Sequence, residues 1–509
     1  MTTKKYYLAV DLGAESGRVI LGTLSRGQLV LTEVHRFATG PVSFPVRYEH
    51  GEREDHGNKC QLVWDFLRFW QEIKDSIQRV ACEKKITSIG VDTWGVDFAL
   101  LDKTGGLISF PVHYRDSRTD GMQEEAFERI SKERIYEITG IQFMQLNTLF
   151  QLLALKYEDS PQLKITDKLL MIPDLINYWL TGKATAEYSD ATTSQIIDAR
   201  QGGWSIEIIQ AMDFPEHIFP EIVNPGTILG PLRPCLEEEL NCKTTVVLPP
   251  THDTSSAVSA VPADTDDFVW ISSGTWSIVG MNTSEPIINK QSFIKNYTNE
   301  GGRMGVNQFS KNVTGLWLVQ QLRNEWQRQG QNLSYSELTQ LAKDADNLET
   351  IIDPDYEEFL PMGDMTDRIA HYCQITEQTM PKTRGEIVRA VLQGLALRYR
   401  YVIEQLEEIA SRKTTTIHII GGGTKNELLN QFTADALNRK VITGPVEATA
   451  IGNIIAQAIA MGDISDWQEG VDVIKNSFEI KTYLPGERPS WETRYQQFLA
   501  NLEKITLAF

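Results

Sequence analysis

The chain has 509 residues, of which 41% are hydrophobic and 23% charged, and its formal net charge is −19 at pH 7. A chain of this length is too long for one hydrophobic core and predicts two or three globular domains. The negative charge argues against nucleic acid or an anionic membrane as a main partner, because both require a basic surface.

The N-terminus shows no signal-peptide pattern, and no apolar run is long enough to predict a membrane span. The five cysteines form no CxxC pair and lack metal-ligand spacing, so reduced, mostly structural thiols are expected. The sequence therefore predicts a cytoplasmic protein.

The first predicted elements are a strand, a tight glycine turn and a second strand over residues 7–22. Apolar residues then recur at helical spacing over residues 64–80, which predicts an amphipathic helix. Residues 87–91 and 98–101 follow as predicted buried strands. This alternation of strands and helices predicts an α/β fold with ligand sites at the strand ends.

The second half of the chain opens with a similar pattern, because residues 268–280 again predict a strand, a glycine turn and a strand. A long helix is predicted over residues 385–409 and a strand over residues 416–420. The two hairpins lie about half the chain apart, which indicates either two similar α/β halves or two unrelated hairpins. The proline-rich residues 225–250 are the best candidate for a domain boundary.

The first hairpin turn, residues 11–18, could bind an oxyanion. Its two glycines bracket a small hydroxyl residue, so the backbone can turn tightly and present N–H groups. Arg18 could add charge for a phosphate, and Asp11 at the strand end could hold Mg²⁺ through water. An ordinary hairpin with an aspartate-led turn is the alternative.

Three consecutive glycines, residues 421–423, follow the predicted strand at 416–420. Thr424 and Glu427 predict a capping box that opens the next helix, so that a flat ligand could approach the backbone at the helix N-terminus. The segment is not a dinucleotide fingerprint, because Asn426 stands where the third glycine is required. The chain also lacks a Walker A loop.

Asp253 lies at the mouth of a predicted strand-to-helix turn among hydroxyl residues. Its carboxylate could cap the helix or act as a catalytic base, and the local sequence leaves both open. Residues 91–98 place Trp94 beside two carboxylates, which suits either a carbohydrate pocket or a buried tryptophan. Residues 113–119 form a polar loop, either an ordinary surface feature or a substrate lid.

Together these segments resemble the FGGY carbohydrate kinase family, of the actin-like superfamily of sugar kinases and chaperone ATPases. The matching segments are residues 10–18, 92–98, 114–119, 251–254, 272–276, 311–320, 421–431 and 444–449, in the family's order. The resemblance implies an α/β fold with two ribonuclease-H-like, actin-like ATPase domains flanking a catalytic cleft. The N-terminal domain, residues 1–248, would hold the sugar site and the phosphate hairpin, and the C-terminal domain, residues 249–509, would hold the nucleotide and the catalytic aspartate.

The resemblance also implies roles for individual residues. Asp253 would be the general base that takes the proton from the 1-hydroxyl of the sugar, and Asp11 would be the Mg²⁺ partner. The implied sugar-binding residues are Gly95, His252, Asp253, Thr254 and Asn312. The implied nucleotide-binding residues are Ala14, Glu15, Ser16, Gly17 and Arg18 in the phosphate hairpin, with Thr275, Gln320 and Gly422. Because Glu15 replaces a residue that is more often small, its side chain is expected to face outward.

The activity that the resemblance implies is ATP- and Mg²⁺-dependent phosphorylation of an L-ketose, and residues 92–98 and 251–254 favour L-rhamnulose. L-Fuculose, ribulose and xylulose are the alternative substrates. A switching ATPase and a sugar-binding sensor without catalysis are rivals from other classes. The partners expected are the sugar and ATP, and the chain is expected to be a monomer or a small homo-oligomer.

Overall fold

The computed structural model describes residues 4–45, 60–345, 349–361, 363–486 and 490–508. The chain divides into two compact units, each built from three separate stretches of sequence. Unit 1 consists of Met1–Pro262, Asn282–Phe309 and Ala448–Ser477, and unit 2 consists of Ala263–Met281, Ser310–Glu447 and Phe478–Phe509.

The secondary structure alternates between strands and helices along the described residues. The strands are β1 Lys5–Leu12, β2 Ser16–Ser25, β3 Gln28–Ala38, β4 Val42–Pro45, β5 Cys60–Val63, β6 Ser88–Thr93, β7 Phe98–Leu101, β8 Lys168–Met171, β9 Thr185–Glu187, β10 Ile197–Asp198, β11 Gly203–Trp204, β12 Glu221–Val223, β13 Ile228–Pro231, β14 Thr245–Val247, β15 Phe268–Ser273, β16 Trp276–Thr283, β17 Thr298–Gly301, β18 Asn307–Thr314, β19 Thr416–Ile420, β20 Lys440–Thr443 and β21 Lys481–Tyr483. The α-helices are α1 Phe66–Ala81, α2 Met122–Arg129, α3 Lys132–Thr139, α4 Thr148–Tyr157, α5 Pro161–Ile165, α6 Ile172–Thr181, α7 Tyr188–Thr193, α8 Ile206–Ala211, α9 Pro234–Glu239, α10 Asp253–Ser259, α11 Lys290–Ile294, α12 Trp317–Arg328, α13 Tyr335–Asp344, α14 Met365–Ile375, α15 Arg384–Ile409, α16 Glu427–Leu437, α17 Ala448–Ala460, α18 Trp467–Ser477 and α19 Ser490–Ala508.

Unit 1 contains a sheet with the strand order β13-β14-β6-β1-β2-β3. β1 runs antiparallel to β2 and parallel to β6, and β14 runs parallel to β6. The core on one side of this sheet includes Val10 of β1, Val91 of β6, and Phe69 and Ile73 of α1. α1 joins that core because its apolar residues recur every three or four positions and so share one face of the helix.

Unit 2 repeats this arrangement, with its strands in the order β18-β16-β15-β19-β20-β21. β15 runs antiparallel to β16 and parallel to β19, and β19 runs parallel to β20. The series β20-β19-β15-β16-β18 therefore corresponds strand for strand to β14-β6-β1-β2-β3 of unit 1. This correspondence confirms the prediction of two similar halves that each begin with a glycine hairpin.

The predicted elements agree with the structure to within a few residues. The helix predicted at residues 64–80 is α1, and the one predicted at residues 385–409 is α15. The strands predicted at residues 98–101 and 416–420 are β7 and β19, with the same bounds. The proline-rich residues 225–250 contribute β13 and β14 to the sheet of unit 1. Within the described residues, each helix is too short or too polar to traverse a lipid bilayer.

Candidate active site

Three ionisable side chains form a row across neighbouring strands of unit 1. Asp11 of β1 lies opposite Arg18 of β2 in the antiparallel pair and opposite Asp92 of β6 in the parallel pair. Directly paired residues share a face of the sheet, so all three side chains lie on the same side. The Arg18 guanidinium and the Asp11 carboxylate form an ion pair. The row lies at the carboxyl ends of the parallel strands β1 and β6, the usual position of ligand sites in α/β sheets.

Asp92 is completely buried, and α17 holds its side chain in place. The Nδ2 of Asn453 donates a hydrogen bond of 2.5 Å to Oδ2 of Asp92, while Oδ1 has no hydrogen-bond partner among the described residues. Burial and the neighbouring charge of Asp11 raise the pKa of Asp92 well above its usual range, against the opposing hydrogen bond from Asn453. Asn453 in turn accepts a hydrogen bond of 2.6 Å from Gln457, which bonds to the backbone of β1.

Asp253 is the first residue of α10 and does not cap that helix. The N-cap position is His252, and its side chain makes no capping hydrogen bond. The Asp253 carboxylate is 30% exposed and accepts a hydrogen bond of 3.1 Å from Oγ1 of Thr254. Burial raises the pKa of Asp253, with the charge of His252 and the hydrogen bonds from Thr254 acting in the opposite direction. Of the two interpretations of this aspartate, the helix cap is therefore wrong.

The His252 ring lies between two carboxylates. Its Nδ1 is 3.3 Å from Oε2 of Glu300, and its Nε2 is 3.6 Å from Oδ1 of Asp253. Burial alone disfavours a charged ring, but the contact with Glu300 and the charges of Asp253 and Glu187 outweigh it and raise the pKa of His252.

Glu187 fixes the backbone that carries His252 and Asp253. It is the N-cap of α7, and its Oε2 accepts hydrogen bonds of 2.9 and 2.6 Å from the backbone N and the Oγ1 of Thr251. The same oxygen accepts a hydrogen bond from Oγ of Ser189, which also accepts one of 3.2 Å from the backbone N of His252. The turn before α10 is thereby tied to the start of α7.

The turn after β6 packs directly on α7. A Cβ atom at Gly95 would lie 2.8 Å from the Thr193 side chain, so only glycine fits this position. The next residue, Val96, has a φ of 68° and donates its N–H to Oγ1 of Thr193 at 2.9 Å. The backbone N–H of Thr93 donates a hydrogen bond of 2.8 Å to the carbonyl of Thr251. Unit 1 therefore brings the predicted residues Gly95, His252 and Asp253 into one region.

Trp94 is not an exposed ring for stacking on a sugar. It is 5% exposed, and its Nε1 donates a hydrogen bond of 3.1 Å to Oδ2 of Asp97, which is also bonded by Nε1 of Trp64 at 2.6 Å. Gln151 donates a further hydrogen bond of 2.9 Å to Oδ1 of Asp97. The interpretation of Trp94 as a buried core residue is therefore confirmed, and Asp97 serves the packing of this core.

The polar loop over residues 113–119 is also partly built into this core. His113 is buried, and its ring lies 4.2 Å from that of Trp64 and 4.4 Å from that of Tyr114, measured between centroids. Burial and the charge of Arg115 lower the pKa of His113 to about 4, so this ring is neutral near pH 7. Asp116 caps the short 3-10 helix Ser117–Thr119.

Unit 2 contains a cavity of about 860 Å³ at the turn of its glycine hairpin. Of the residues named from the sequence, Thr275, Gln320 and Gly422 line this cavity, and Nε2 of Gln320 donates a hydrogen bond of 2.9 Å to Oγ1 of Thr275. Asn312 lies on β18 in the same unit, outside the cavity wall. A volume of this size is in the range of small-molecule sites.

The helix that borders this cavity begins differently from the prediction. The capping box of Thr424 and Glu427 does not form, because Oγ1 of Thr424 donates to the carbonyl of Gly421 within a 3-10 turn. Asn426 is the N-cap of α16, and its Oδ1 accepts a hydrogen bond of 3.0 Å from the N–H of Leu429. A short side chain with an oxygen acceptor is a favoured cap, and Asn426 provides one immediately before the helix.

Three residues of the unit 1 site were missed by the sequence analysis: Glu187, Glu300 and Asn453. Glu187 ends β9, Glu300 lies in β17 and Asn453 lies in α17. Glu187 bonds to Thr251, Glu300 contacts His252 and Asn453 bonds to Asp92. The two residues of each pair come from segments that are distant in the chain.

Two family models match the chain over most of its length. The N-terminal domain of the FGGY family of carbohydrate kinases matches residues 6–259, and its C-terminal domain matches residues 269–461. The rhamnulokinase of Oceanobacillus iheyensis is 42% identical over 94% of this chain and 97% of its own length. The rhamnulokinase of Bacteroides thetaiotaomicron is 39% identical over 97% of this chain and 99% of its own.

Solved structures with the same fold include a gluconate kinase and a xylulose kinase, both from Lactobacillus acidophilus. Each has a TM-score of 0.78, with 17% and 18% sequence identity respectively. The gluconate kinase is matched over 98% of this chain and 97% of its own, and the xylulose kinase over 99% and 98%. These likenesses confirm the predicted fold of two ribonuclease-H-like α/β domains. With matching models over both halves and full-length relatives near 40% identity, the chain belongs to the FGGY family of carbohydrate kinases.

Proposed function

We propose that this protein transfers the γ-phosphoryl group of ATP to the 1-hydroxyl of L-rhamnulose, giving L-rhamnulose 1-phosphate and ADP in the breakdown of L-rhamnose. The observation that carries this proposal is the nearly full-length similarity to relatives named rhamnulokinase. L-Fuculose, ribulose and xylulose remain the alternative substrates, since the choice among ketoses depends on a few hydroxyl contacts.

In the proposed mechanism Asp253 is the general base. Its carboxylate takes the proton of the 1-hydroxyl as the oxygen forms a bond to the γ-phosphorus, and ADP leaves with the electrons of the broken P–O bond. Two observations support this role: the carboxylate is not used as a helix cap, and burial raises its pKa, which makes it a better proton acceptor.

The proposed sugar-binding residues are Gly95, His252, Thr254 and Asn312, together with the base. Support comes from unit 1, where the backbone around Thr93 bonds to the turn that carries His252, and where Thr254 bonds to the Asp253 carboxylate. Gly95 has no side chain, so its contribution to the sugar site would come from its backbone.

The proposed nucleotide-binding residues are Thr275, Gln320 and Gly422, with Ala14, Glu15, Ser16, Gly17 and Arg18 for the phosphates. The cavity lined by the first three supports the adenosine part of this assignment. The side chain of Glu15 is exposed, so the hairpin can offer its backbone N–H to an anion without directing that carboxylate at it. Arg18 would add positive charge next to the phosphates.

The residues present fit Mg²⁺ held mainly by nucleotide phosphates. The described part of the chain has no cluster of three or more histidine, cysteine or acidic side chains that could hold a metal by themselves. Asp11 at the end of β1 would bind the ion through water, and the ion would neutralise charge on the phosphates.

The cytoplasmic location and the oligomeric state, a monomer or a small homo-oligomer, also remain predictions.

The first test is ADP release by the purified protein with ATP and Mg²⁺ across L-rhamnulose, L-fuculose, L-ribulose, L-xylulose and D-xylulose. We expect the fastest turnover with L-rhamnulose and a loss of about 10² to 10⁴ in kcat for Asp253→Asn, because that variant lacks the base. Near-normal turnover in Asp253→Asn would contradict the role of the base. Faster turnover with another ketose would correct the substrate, and sugar-independent ATP hydrolysis would favour a switching ATPase.

A further inference from the structure

We propose that Glu300 is a positioning residue that keeps His252 protonated on both ring nitrogens, and that the resulting imidazolium keeps Asp253 ionised and ready to accept a proton. The inference deepens the proposed function and rests on Asp253 being the base. Glu300 was not singled out by the sequence, and it lies in β17, about fifty residues after the aspartate that it would influence.

The first argument is geometric. The two nitrogens of His252 lie within ion-pair distance of carboxylate oxygens, with Nδ1 3.3 Å from Glu300 and Nε2 3.6 Å from Asp253. Nδ1 makes no hydrogen bond within the described residues, so the attraction is one between charges. A positive ring between two carboxylates is favoured over a neutral one, because nearby opposite charges stabilise the charged form. The arrangement therefore favours alternating charges along Glu300, His252 and Asp253.

The second argument is that the structure holds Glu300 in place through its main chain. The N–H of Gly301 donates a hydrogen bond of 2.9 Å to Oγ1 of Thr192 on α7, and Oγ of Ser255 on α10 donates one of 2.7 Å to the carbonyl of Gly301. A Cβ atom at Gly301 would lie 2.7 Å from the Tyr188 ring, so β17 can approach α7 this closely only with glycine. Oγ1 of Thr298 donates a hydrogen bond of 3.3 Å to Oε1 of Glu300, which leaves Oε2 towards His252.

The third argument concerns the charges that act on the ring from each element around it. Glu300 acts from β17, Asp253 from α10 and Glu187 from the start of α7. All three are acidic, and together they overcome the burial that disfavours a charged ring and raise the pKa of His252. Glu300 lies nearer the ring than Asp253 does, so its loss should have the larger effect of the two.

The consequence for Asp253 follows from the sign of each effect. Burial raises the pKa of Asp253, and the charge of His252 is the largest influence that lowers it. When the ring loses its charge, that opposing influence disappears and the carboxylate takes up a proton at higher pH. Glu300→Gln should therefore move the acid limb of the kcat/KM profile to higher pH, because this limb reports the pKa of the base in the free enzyme.

The experiment combines this pH profile with NMR titration of the histidines in full-length protein labelled with ¹⁵N-histidine. For Glu300→Gln we expect the titration midpoint of His252 to fall by about one pH unit or more, and the acid limb of kcat/KM to rise by about half a unit or more. An unchanged His252 midpoint in Glu300→Gln would overturn the proposal.

The matched control is Glu72→Gln, which removes a carboxylate 2.7 Å from Nε2 of His35 on the protein surface. In this variant the His252 midpoint and the acid limb should not change. A change at His252 in the control would contradict the assignment of the effect to Glu300, since the control leaves that contact intact.

A second variant keeps the proposal testable if Glu300→Gln does not fold. His252→Asn removes the ring and should move the same acid limb to higher pH, because the Asp253 carboxylate then has no neighbouring imidazolium. An unchanged acid limb in His252→Asn would contradict the proposal. If the protein phosphorylates no ketose, the proposed function fails, but the NMR titration of His252 still decides whether Glu300 controls its charge.

Discussion

At the scale of single residues, the carboxylates of unit 1 differ in what their surroundings allow them to do. Asp97 accepts hydrogen bonds from two tryptophans, a glutamine and a backbone N–H, so its oxygens are fully used in packing. Asp253 accepts from Thr254 and remains partly exposed. Identical side chains therefore serve the core in one case and are available for chemistry in the other.

Replacing Asp97 with asparagine should destabilise the protein without a direct effect on the base. The variant loses one acceptor for the buried donors, and we expect the free energy of unfolding to fall by about 2 kcal/mol at pH 7. Burial raises the pKa of Asp97 to about 6, against the hydrogen bonds from Gln151, Trp64 and Trp94. Chemical denaturation of both proteins measures the difference.

The pH dependence of this difference has a definite sign. Because the folded-state pKa of Asp97 lies above its unfolded value, the wild-type protein gains stability as pH falls through about 6, and the asparagine variant does not. The difference in free energy of unfolding between the wild-type protein and the asparagine variant should increase by about 1 kcal/mol from pH 7 to pH 5. A decrease in this difference would contradict the raised pKa. Asp75→Asn on the exposed face of α1 should change stability by less than about 0.5 kcal/mol.

At the scale of elements, a short helix of unit 1 holds the functional groups in position. α7 has only six residues, yet its cap Glu187 bonds to the turn before α10, and its Thr192 bonds to the end of β17. In unit 2 Gly422, in the turn after β19, lines the cavity on which the proposed nucleotide site depends. The loop backbone, rather than its side chains, is the surface offered at Gly422.

Gly422→Ala tests whether a nucleotide lies against this backbone. A Cβ atom at Gly422 would meet nothing within 4 Å, so the substitution should leave the unfolding temperature unchanged. The added methyl group would project towards a bound nucleotide, and we expect KM for ATP to rise about tenfold, or roughly 1.4 kcal/mol. Gly203→Ala is the matched control, because its Cβ also meets nothing within 4 Å and it lies in β11 of unit 1. Unchanged KM in Gly422→Ala would argue against this nucleotide position.

At the scale of the whole molecule, two units share one order of strands, and each begins with a glycine hairpin. Each unit is assembled from separate stretches of sequence, since Ala448–Ser477 belongs with the N-terminal part of the chain. α17 in this stretch supplies Asn453 to Asp92. The predicted division of sugar and nucleotide functions between residues 1–248 and 249–509 stays a prediction.

Binding of the proposed substrate should stabilise the whole molecule through mass action. L-Rhamnulose at about 100 times its Kd should add about 2.7 kcal/mol to the free energy of unfolding and raise the unfolding temperature. Asp253→Asn should retain most of this gain, because the base acts mainly in the transition state. Calorimetric unfolding with and without the sugar measures both proteins. The absence of any shift with all five ketoses would contradict a ketose substrate.

The sequence by itself determined the fold class, the hairpins at residues 7–22 and 268–280, α15 and β19, because periodicity and glycine turns are local properties. It also pointed to Asp253, and its ordered motifs predicted the family that the comparisons established. Only the tertiary structure decided that Asp253 does not cap α10, that Trp94 is buried, and that Asn426 rather than Thr424 caps α16. The partners Glu187, Glu300 and Asn453 were likewise found only there, since contacts between distant segments leave no mark on local sequence.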